Sequence, residues 1–476
     1  MSDRGSTGFL DTVYDRTISN LRNVWRDIAA SARGVLSIAL RPDLSGDDAD
    51  RLRTQFRDCL ESKGGEVSSR ARAAALGRTY LALNEDGRER FLRVLATEFD
   101  IDRGAVQATW ERLRRAKNDD ERMRTERALR RALDAPRIKL LTQFNALPEG
   151  VKFLVDMRAE LMALARKDAS LAALELDLKG LLASWFDIGF LEVKRITWDS
   201  PASLLERLTG YEAVHAIRSW KDLKNRLEAD RRCFAYFHPR MPDEPLIFVE
   251  VALTQGMADD VQLLLDETAP LGDPAAADTA IFYSISNCQR GLTGISLGDF
   301  LIKRVVDQLA AELPHLRTYA TLSPIPGFRA WVEKHLAGDG EDILTPSERK
   351  LFDALPIDPA ERQLRSLLAR NGWHKDDAFA QAVRGPLLRL AARYVLHEKT
   401  PAGRALDAVA HFHLSNGARV ERFNWRADLS AKGLQQSYGV MVNYLYRLAD
   451  IEANHEAYTG EGRVSAATPI LRLVKG

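Results

Sequence analysis

The spacing of apolar residues divides the chain into two parts of different character. Over roughly the first 190 residues, apolar side chains recur at three- and four-residue steps, as at Phe91, Leu92, Leu95, Ala96 and Phe99. That is the period of helices that turn one face to a core. Leu40 to Asp50 (LRPDLSGDDAD) interrupts the pattern with a proline, a glycine and four aspartates, which predicts a loop or a helix start. Arg112 to Arg131 (RLRRAKNDDERMRTERALRR) is dense in mixed charge. A basic docking face is one reading of it, but a solvated helix or helical hairpin is the expectation.

Near Asp187 the pattern changes to short β-favouring runs. They are Phe190 to Trp198, Cys233 to Phe237, Leu246 to Leu253 (LIFVEVAL), Ile281 to Ile285, and Tyr319 to Leu322. Phe412 to Trp425 offers two further strands around the turn dipeptide Asn416-Gly417. Glu250, inside the strongest strand candidate, needs solvent or a partner. Helices are predicted from Phe300 to Leu313 and from Gly385 to Leu396, and 338–384 reads as a polar insertion with one or two helices. The fold class is therefore α+β multidomain: an all-α helical bundle over 1–187, then a mixed α/β domain over 188–476.

Composition narrows the function. The 476 residues suffice for about two to four domains. Sixty-eight basic residues balance 67 acidic ones, which argues against a general nucleic-acid partner. Cys59, Cys233 and Cys288 form no Cys-x-x-Cys pair, so neither a disulfide framework nor a structural zinc site is expected. No run of about 18 apolar residues predicts a membrane span. Asp3, Asp11, Asp15 and Asp27 speak against a transit peptide, and Val474-Lys475-Gly476 is not a Ser-Lys-Leu address. The cytoplasm is the expected compartment.

The most informative local pattern starts at Ile281. A strand leads into Ser286-Asn287-Cys288-Gln289-Arg290, then Gly291, Gly294 and Gly298, then an amphipathic helix with Leu301, Ile302, Val305, Val306 and Leu309. Such a turn gathers free N–H groups at a helix N-terminus and suits a pyrophosphate. The spacing fits neither the dinucleotide fingerprint nor the P-loop. It is similar to the coenzyme A turn of the GNAT acetyltransferase fold. A glycine-rich connector that only packs a helix on a sheet is the alternative.

Two further segments carry candidate chemistry. In Thr321-Leu322-Ser323-Pro324-Ile325-Pro326-Gly327-Phe328, two prolines and a glycine stiffen the chain beside Ser323. Alone, Ser323 reads as a turn or capping serine. His411 and His413 lie two apart in what reads as a strand, so both are expected on one face. A hydrogen-bonded structural histidine is the plainer reading, and no third ligand supports a metal. His238-Pro239 belongs to a rigid loop before LIFVEVAL.

Taken together these segments resemble the malonyl-CoA decarboxylase family over roughly 185–450. The resemblance rests on Glu244 to Leu253, Phe282 to Ser286, Gly291-Leu-x-Gly294 and Leu297 to Val306. It continues through Leu322-Ser-Pro-Ile-Pro-Gly-Phe328, Phe412-His-Leu-x-Asn-Gly-Ala418 and Gly439-x-Met-x-Asn-Tyr444. The resemblance implies a helical domain that mediates self-association as a dimer or tetramer, and a GNAT-like catalytic domain. It implies decarboxylation of malonyl-CoA to acetyl-CoA and CO2, with coenzyme A as part of the substrate and no added cofactor or metal. Ser323 and His413 take the positions of the family's catalytic pair. Thr293, Gly294, Ile295, Ser296, Leu297, Gly298 and Asp299 fall on its malonyl-CoA-binding loop. Animal members carry a glutamate where this sequence has Ser296.

The thioester itself is the electron sink for such a reaction, so the protein must orient the carboxylate, stabilise charge on oxygen and deliver a proton to carbon. An imidazole at His413 with a pKa near working pH would suit that transfer. A GNAT acyltransferase and a non-catalytic malonyl-CoA sensor are the competing functions.

Overall fold

The computed structural model describes residues 21–30, 40–61, 65–295, 297, 301–337, 343–353, 355, 357–358 and 362–475. The chain forms two compact units. The first comprises Met1–Glu192, Phe237–Leu246 and Asn287–Leu297, and the second Val193–Tyr236, Ile247–Ser286 and Gly298–Gly476.

The first unit is helical, as the periodicity predicts. Its helices are α1 (Asp48–Glu61), α2 (Gly65–Ala82), α3 (Glu85–Glu98), α4 (Arg103–Arg114), α5 (Asp119–Ala132), α6 (Pro136–Asn145), α7 (Gly150–Ala165) and α8 (Ala169–Trp185). Side chains of Asn84, Asp102, Asn118 and Asp168 cap α3, α4, α5 and α8 by accepting from free N–H groups of the first turn. Phe91, Leu92, Leu95, Ala96 and Phe99 are all buried. Phe91 lies 4.9 Å from Phe56 and 5.0 Å from Tyr80, and Phe153 lies 5.1 Å from Phe144, so aromatic rings fill the centre. The charge-dense stretch forms the hairpin of α4 and α5, and α5 buries none of its residues. It is a solvated hairpin, as its charge pattern predicts.

The second unit is built on one sheet. Its strands are β1 (Glu192–Ile196), β2 (Arg231–Phe237), β3 (Ile247–Thr254), β4 (Thr279–Asn287), β5 (Thr318–Thr321), β6 (Ser323–Pro324), β7 (Arg419–Asn424) and β8 (Met441–Leu445). The order is β1-β2-β3-β4-β5-β8-β6, with β7 also paired to β8. β4 and β5 are parallel, whereas β2–β3, β5–β8, β6–β8 and β7–β8 are antiparallel. A parallel pair needs a crossover, and helix α10 (Leu301–Glu312) supplies it after the predicted strand and turn. This is the mixed α/β domain expected after the helical one.

β3 is buried along nearly its whole length, which explains its continuous apolar reading. Glu250 within it has a partner rather than solvent. The Arg226 guanidinium, just past helix α9 (Trp220–Asn225), lies 3.0 Å from Glu250 and 2.8 Å from Asp222. All three side chains are buried.

Two local expectations are overturned. Helix α11 runs from Asp377 to His397, not from Gly385, because Asp376 caps it by accepting from Ala378 and Phe379. Pro386 sits inside it, with its ring buried. The segment around His411 and His413 is not a strand but helix α12 (Ala408–Ser415). Asp407 caps that helix, and its capping bonds outweigh the β-like composition of eight residues. Of the two strands expected there, only β7 forms.

Candidate active site

Ser323 begins β6, where it pairs with Val442 of β8. Thr321, two residues earlier on the same face, accepts the Ser323 hydroxyl proton at 2.8 Å. Thr321 Oγ1 also accepts from the Tyr444 N–H at 3.1 Å, and its carbonyl accepts from Asn443 Nδ2 at 2.7 Å. These bonds fix the rotamer from which Ser323 Oγ faces the histidine.

His413 projects from α12. Its Nε2 lies 2.9 Å from Ser323 Oγ, and its Nδ1 lies 2.8 Å from the Tyr446 hydroxyl. With the Ser323 proton directed to Thr321, the consistent tautomer carries its proton on Nε2 and accepts from Tyr446 at Nδ1. A directed chain results, running from the Tyr446 O–H to imidazole, from Nε2–H to Ser323, and from Ser323 to Thr321. The Tyr444 ring stacks on the imidazole at 4.5 Å and an interplanar angle of 26°.

The group is dry. Ser323 is 5% exposed, His413 2%, Tyr446 1% and Thr321 0%. Burial pushes the His413 pKa down to about 3, so the ring is neutral. This corrects the expectation of a pKa near working pH, because desolvation penalises the imidazolium and no carboxylate offsets it. Burial likewise holds the Tyr446 phenol well above its ordinary range. A neutral, hydrogen-bonded relay in a low-dielectric site can pass a proton without carrying a resting charge.

The structure brings Ser323 and His413 together. It also adds Tyr446 and Thr321, which the sequence reading did not single out. Tyr446 lies two residues from the quoted Tyr444, and Thr321 opens the quoted segment two residues before Ser323. Strand periodicity alone could have flagged them as sharing a face. His411 does not share the face of His413: its Nδ1 lies 2.9 Å from the Tyr458 hydroxyl instead.

The glycine-rich turn belongs to the first unit. Arg290–Leu292 form a turn of 3₁₀ helix, and Gly294 adopts φ +73°, a left-handed conformation that favours glycine. Arg158 of α7, 2% exposed, donates to the carbonyls of Gly291 and Thr293, the latter at 3.0 Å, and pairs with Glu175 at 2.6 Å. Gly291 packs so closely that an added Cβ would lie 1.8 Å from the Val155 carbonyl oxygen. Thr293 and Gly294 are exposed, and Ile295 and Leu297 are buried. Ser296, Gly298 and Asp299 lie outside the described residues. His238 sits in a rigid loop, its Nε2 3.1 Å from the Trp185 carbonyl and its Nδ1 accepting from Arg240 N at 3.1 Å.

Comparison with known proteins places this helical unit and the mixed α/β unit that follows it in one family. The family models for the malonyl-CoA decarboxylase N-terminal and C-terminal domains match residues 99–186 and 189–476. The mitochondrial malonyl-CoA decarboxylase of Rattus norvegicus is 38% identical over 436 residues, covering 88% of this chain and 85% of the relative. That of Anser anser anser is 37% identical over 428 residues, covering 85% and 83%. The crystal structure of malonyl-CoA decarboxylase from Rhodopseudomonas palustris matches with a TM-score of 0.81 and 41% identity, covering 89% of this chain and 99% of that one. The Agrobacterium vitis structure matches with a TM-score of 0.79 at the same identity and coverage. The chain belongs to the malonyl-CoA decarboxylase family, an enzyme family of carboxy-lyases.

Proposed function

We propose that this enzyme converts malonyl-CoA to acetyl-CoA and CO2 and that Ser323, His413 and Tyr446 form its proton relay. The observation that carries this reading is the 2.9 Å contact between Ser323 Oγ and a fully buried, neutral His413. The bond between C2 and the malonyl carboxylate breaks, CO2 leaves, and its electron pair passes to C2 and the thioester oxygen. Ser323 then gives its proton to C2. The Nε2–H of His413 replaces it, and Tyr446 protonates Nδ1 in the same movement. The phenol regains its proton when product leaves and water enters the site, so the net reaction takes up one proton. A serine hydroxyl is too weak an acid to do this alone, which is why the relay behind it matters.

Thr293 to Asp299 is the segment we assign to the malonyl-CoA thioester and pyrophosphate. Arg158 supports this, since it turns the carbonyls of Gly291 and Thr293 inward. The helical unit is proposed to mediate self-association as a dimer or tetramer. Trp110 and Met123 on the α4–α5 hairpin, 47% and 49% exposed, are suited to that contact. Light scattering of a Trp110→Glu variant tests it. The cytoplasm is the compartment proposed; cell fractionation with an epitope tag decides it.

The deciding experiment is purified protein with malonyl-CoA, read by mass spectrometry for acetyl-CoA, beside Ser323→Ala and His413→Ala. Acetyl-CoA from the wild type without any acceptor amine, and its loss in both variants, is the expected result. No acetyl-CoA from folded wild type would reject the proposal. Thermal stabilisation by malonyl-CoA in that case would point to a sensor.

A further inference from the structure

His413 reaches Ser323 from a helix, whereas Ser323 and Tyr446 are held by the sheet. Ser323 pairs with Val442, and the Tyr446 N–H donates to the Tyr319 carbonyl at 2.8 Å. Strand register therefore sets two members of the relay. The third depends on where α12 begins and how that beginning is anchored.

Asp407 stands there. Its Oδ1 accepts from the N–H groups of Val409 and Ala410, each at 3.0 Å. Its Oδ2 accepts from the Gly327 N–H at 3.3 Å. Gly327 closes the segment that starts at Ser323, and Pro324 and Pro326 restrict the backbone between them. The segment has little room to drift: a methyl at Gly327 would lie 2.2 Å from the Tyr394 hydroxyl. Asp407 is 2% exposed, so water does not compete for its oxygens.

We propose that Asp407 is a positioning residue for the decarboxylation, a single carboxylate that caps the helix of His413 and ties it to the loop of Ser323. The inference rests on Ser323 and His413 being the reacting pair. Asp407 acts through the backbone of both segments and not by touching the substrate. The two oxygens do separate jobs, which makes the jobs separable by substitution.

Asp407→Ser keeps a capping hydroxyl for the helix but is too short to span to Gly327. Asp407→Ala removes both functions. A displacement of about 1 Å at a reacting pair costs on the order of a hundredfold in rate. Both variants are therefore expected to lose about ten- to a hundredfold in kcat at unchanged KM for malonyl-CoA. Only the alanine variant should also lose thermal stability. A serine variant with wild-type kcat would overturn the proposal, because capping alone would then suffice. So would an alanine variant whose loss of kcat merely tracks its unfolded fraction.

A crystal structure of the serine variant separates failure of the tether from failure of the assigned reaction. The Ser323–His413 contact should lengthen beyond hydrogen-bond reach whether or not the wild type decarboxylates malonyl-CoA. A contact still at 2.9 Å would sink the tether.

Discussion

Replacing Tyr446 with phenylalanine isolates one hydrogen bond. The ring keeps its place, since the backbone N–H still donates to Tyr319 and the side chain is 1% exposed. What disappears is the O–H that His413 Nδ1 accepts at 2.8 Å. The imidazole is fully buried, so no water is at hand to replace it. An orphaned buried acceptor costs about 1–3 kcal/mol. The bond should also strengthen as Nε2 releases its proton, because electron density then gathers on the ring. That makes the loss larger in the transition state than in the ground state. If the difference approaches the full cost, kcat falls by roughly 5- to 150-fold. The assay is steady-state acetyl-CoA formation at pH 7, with KM and thermal unfolding measured on the same preparation. KM for malonyl-CoA should hold. A Tyr446→Phe enzyme with kcat within about twofold of wild type would refute the relay, because the proton would then be reaching Ser323 without Tyr446.

Three further outcomes follow from the same structure. The folded-state pKa of His413, about 3 against an ordinary 6.5, means that the unfolded chain binds a proton between those values while the folded one does not. Its contribution is complete above pH 6.5 and is lost as pH falls, roughly 2 kcal/mol by pH 5; urea titrations at stepped pH should show a shallower acid loss in His413→Gln. Arg226→Met leaves Glu250 and Asp222 buried without the guanidinium between them, which should cost about 3–5 kcal/mol in equilibrium unfolding. Gly291→Ala sets a methyl 1.8 Å from a backbone carbonyl that has no flexible end to move. It should destabilise by about 1–3 kcal/mol and raise KM for malonyl-CoA with kcat maintained, as read by calorimetry and steady-state kinetics.

Much of the fold was legible because burial leaves a local trace. Phe91, Leu92, Leu95, Ala96 and Phe99 face a core, and their spacing says so. Leu246 to Leu253 reads as a strand because β3 is covered on both faces. The charge of Arg112 to Arg131 reports a hairpin with no buried face on α5. The helix of His413 was not legible in the same way. Eight residues rich in Ala, His and Phe carry no decisive period, and the element is settled by the carboxylate of Asp407 at its first turn. The start of α11 was missed for a related reason: the helix begins at Asp377 rather than Gly385 because the carboxylate of Asp376 caps it.

The sequence by itself determined the order of a helical part and an α/β part, the strand–turn–helix around Gly291, and the candidacy of Ser323 and His413. The tertiary structure decided that these two, 90 residues apart, lie within hydrogen-bond reach, and that Tyr446 and Thr321 join them in one hydrogen-bonded chain. It also decided that the histidine is neutral. Periodicity records which face of an element is buried. It does not record which atoms meet across a sheet, or how far water is excluded from them, because register and packing between distant segments set both.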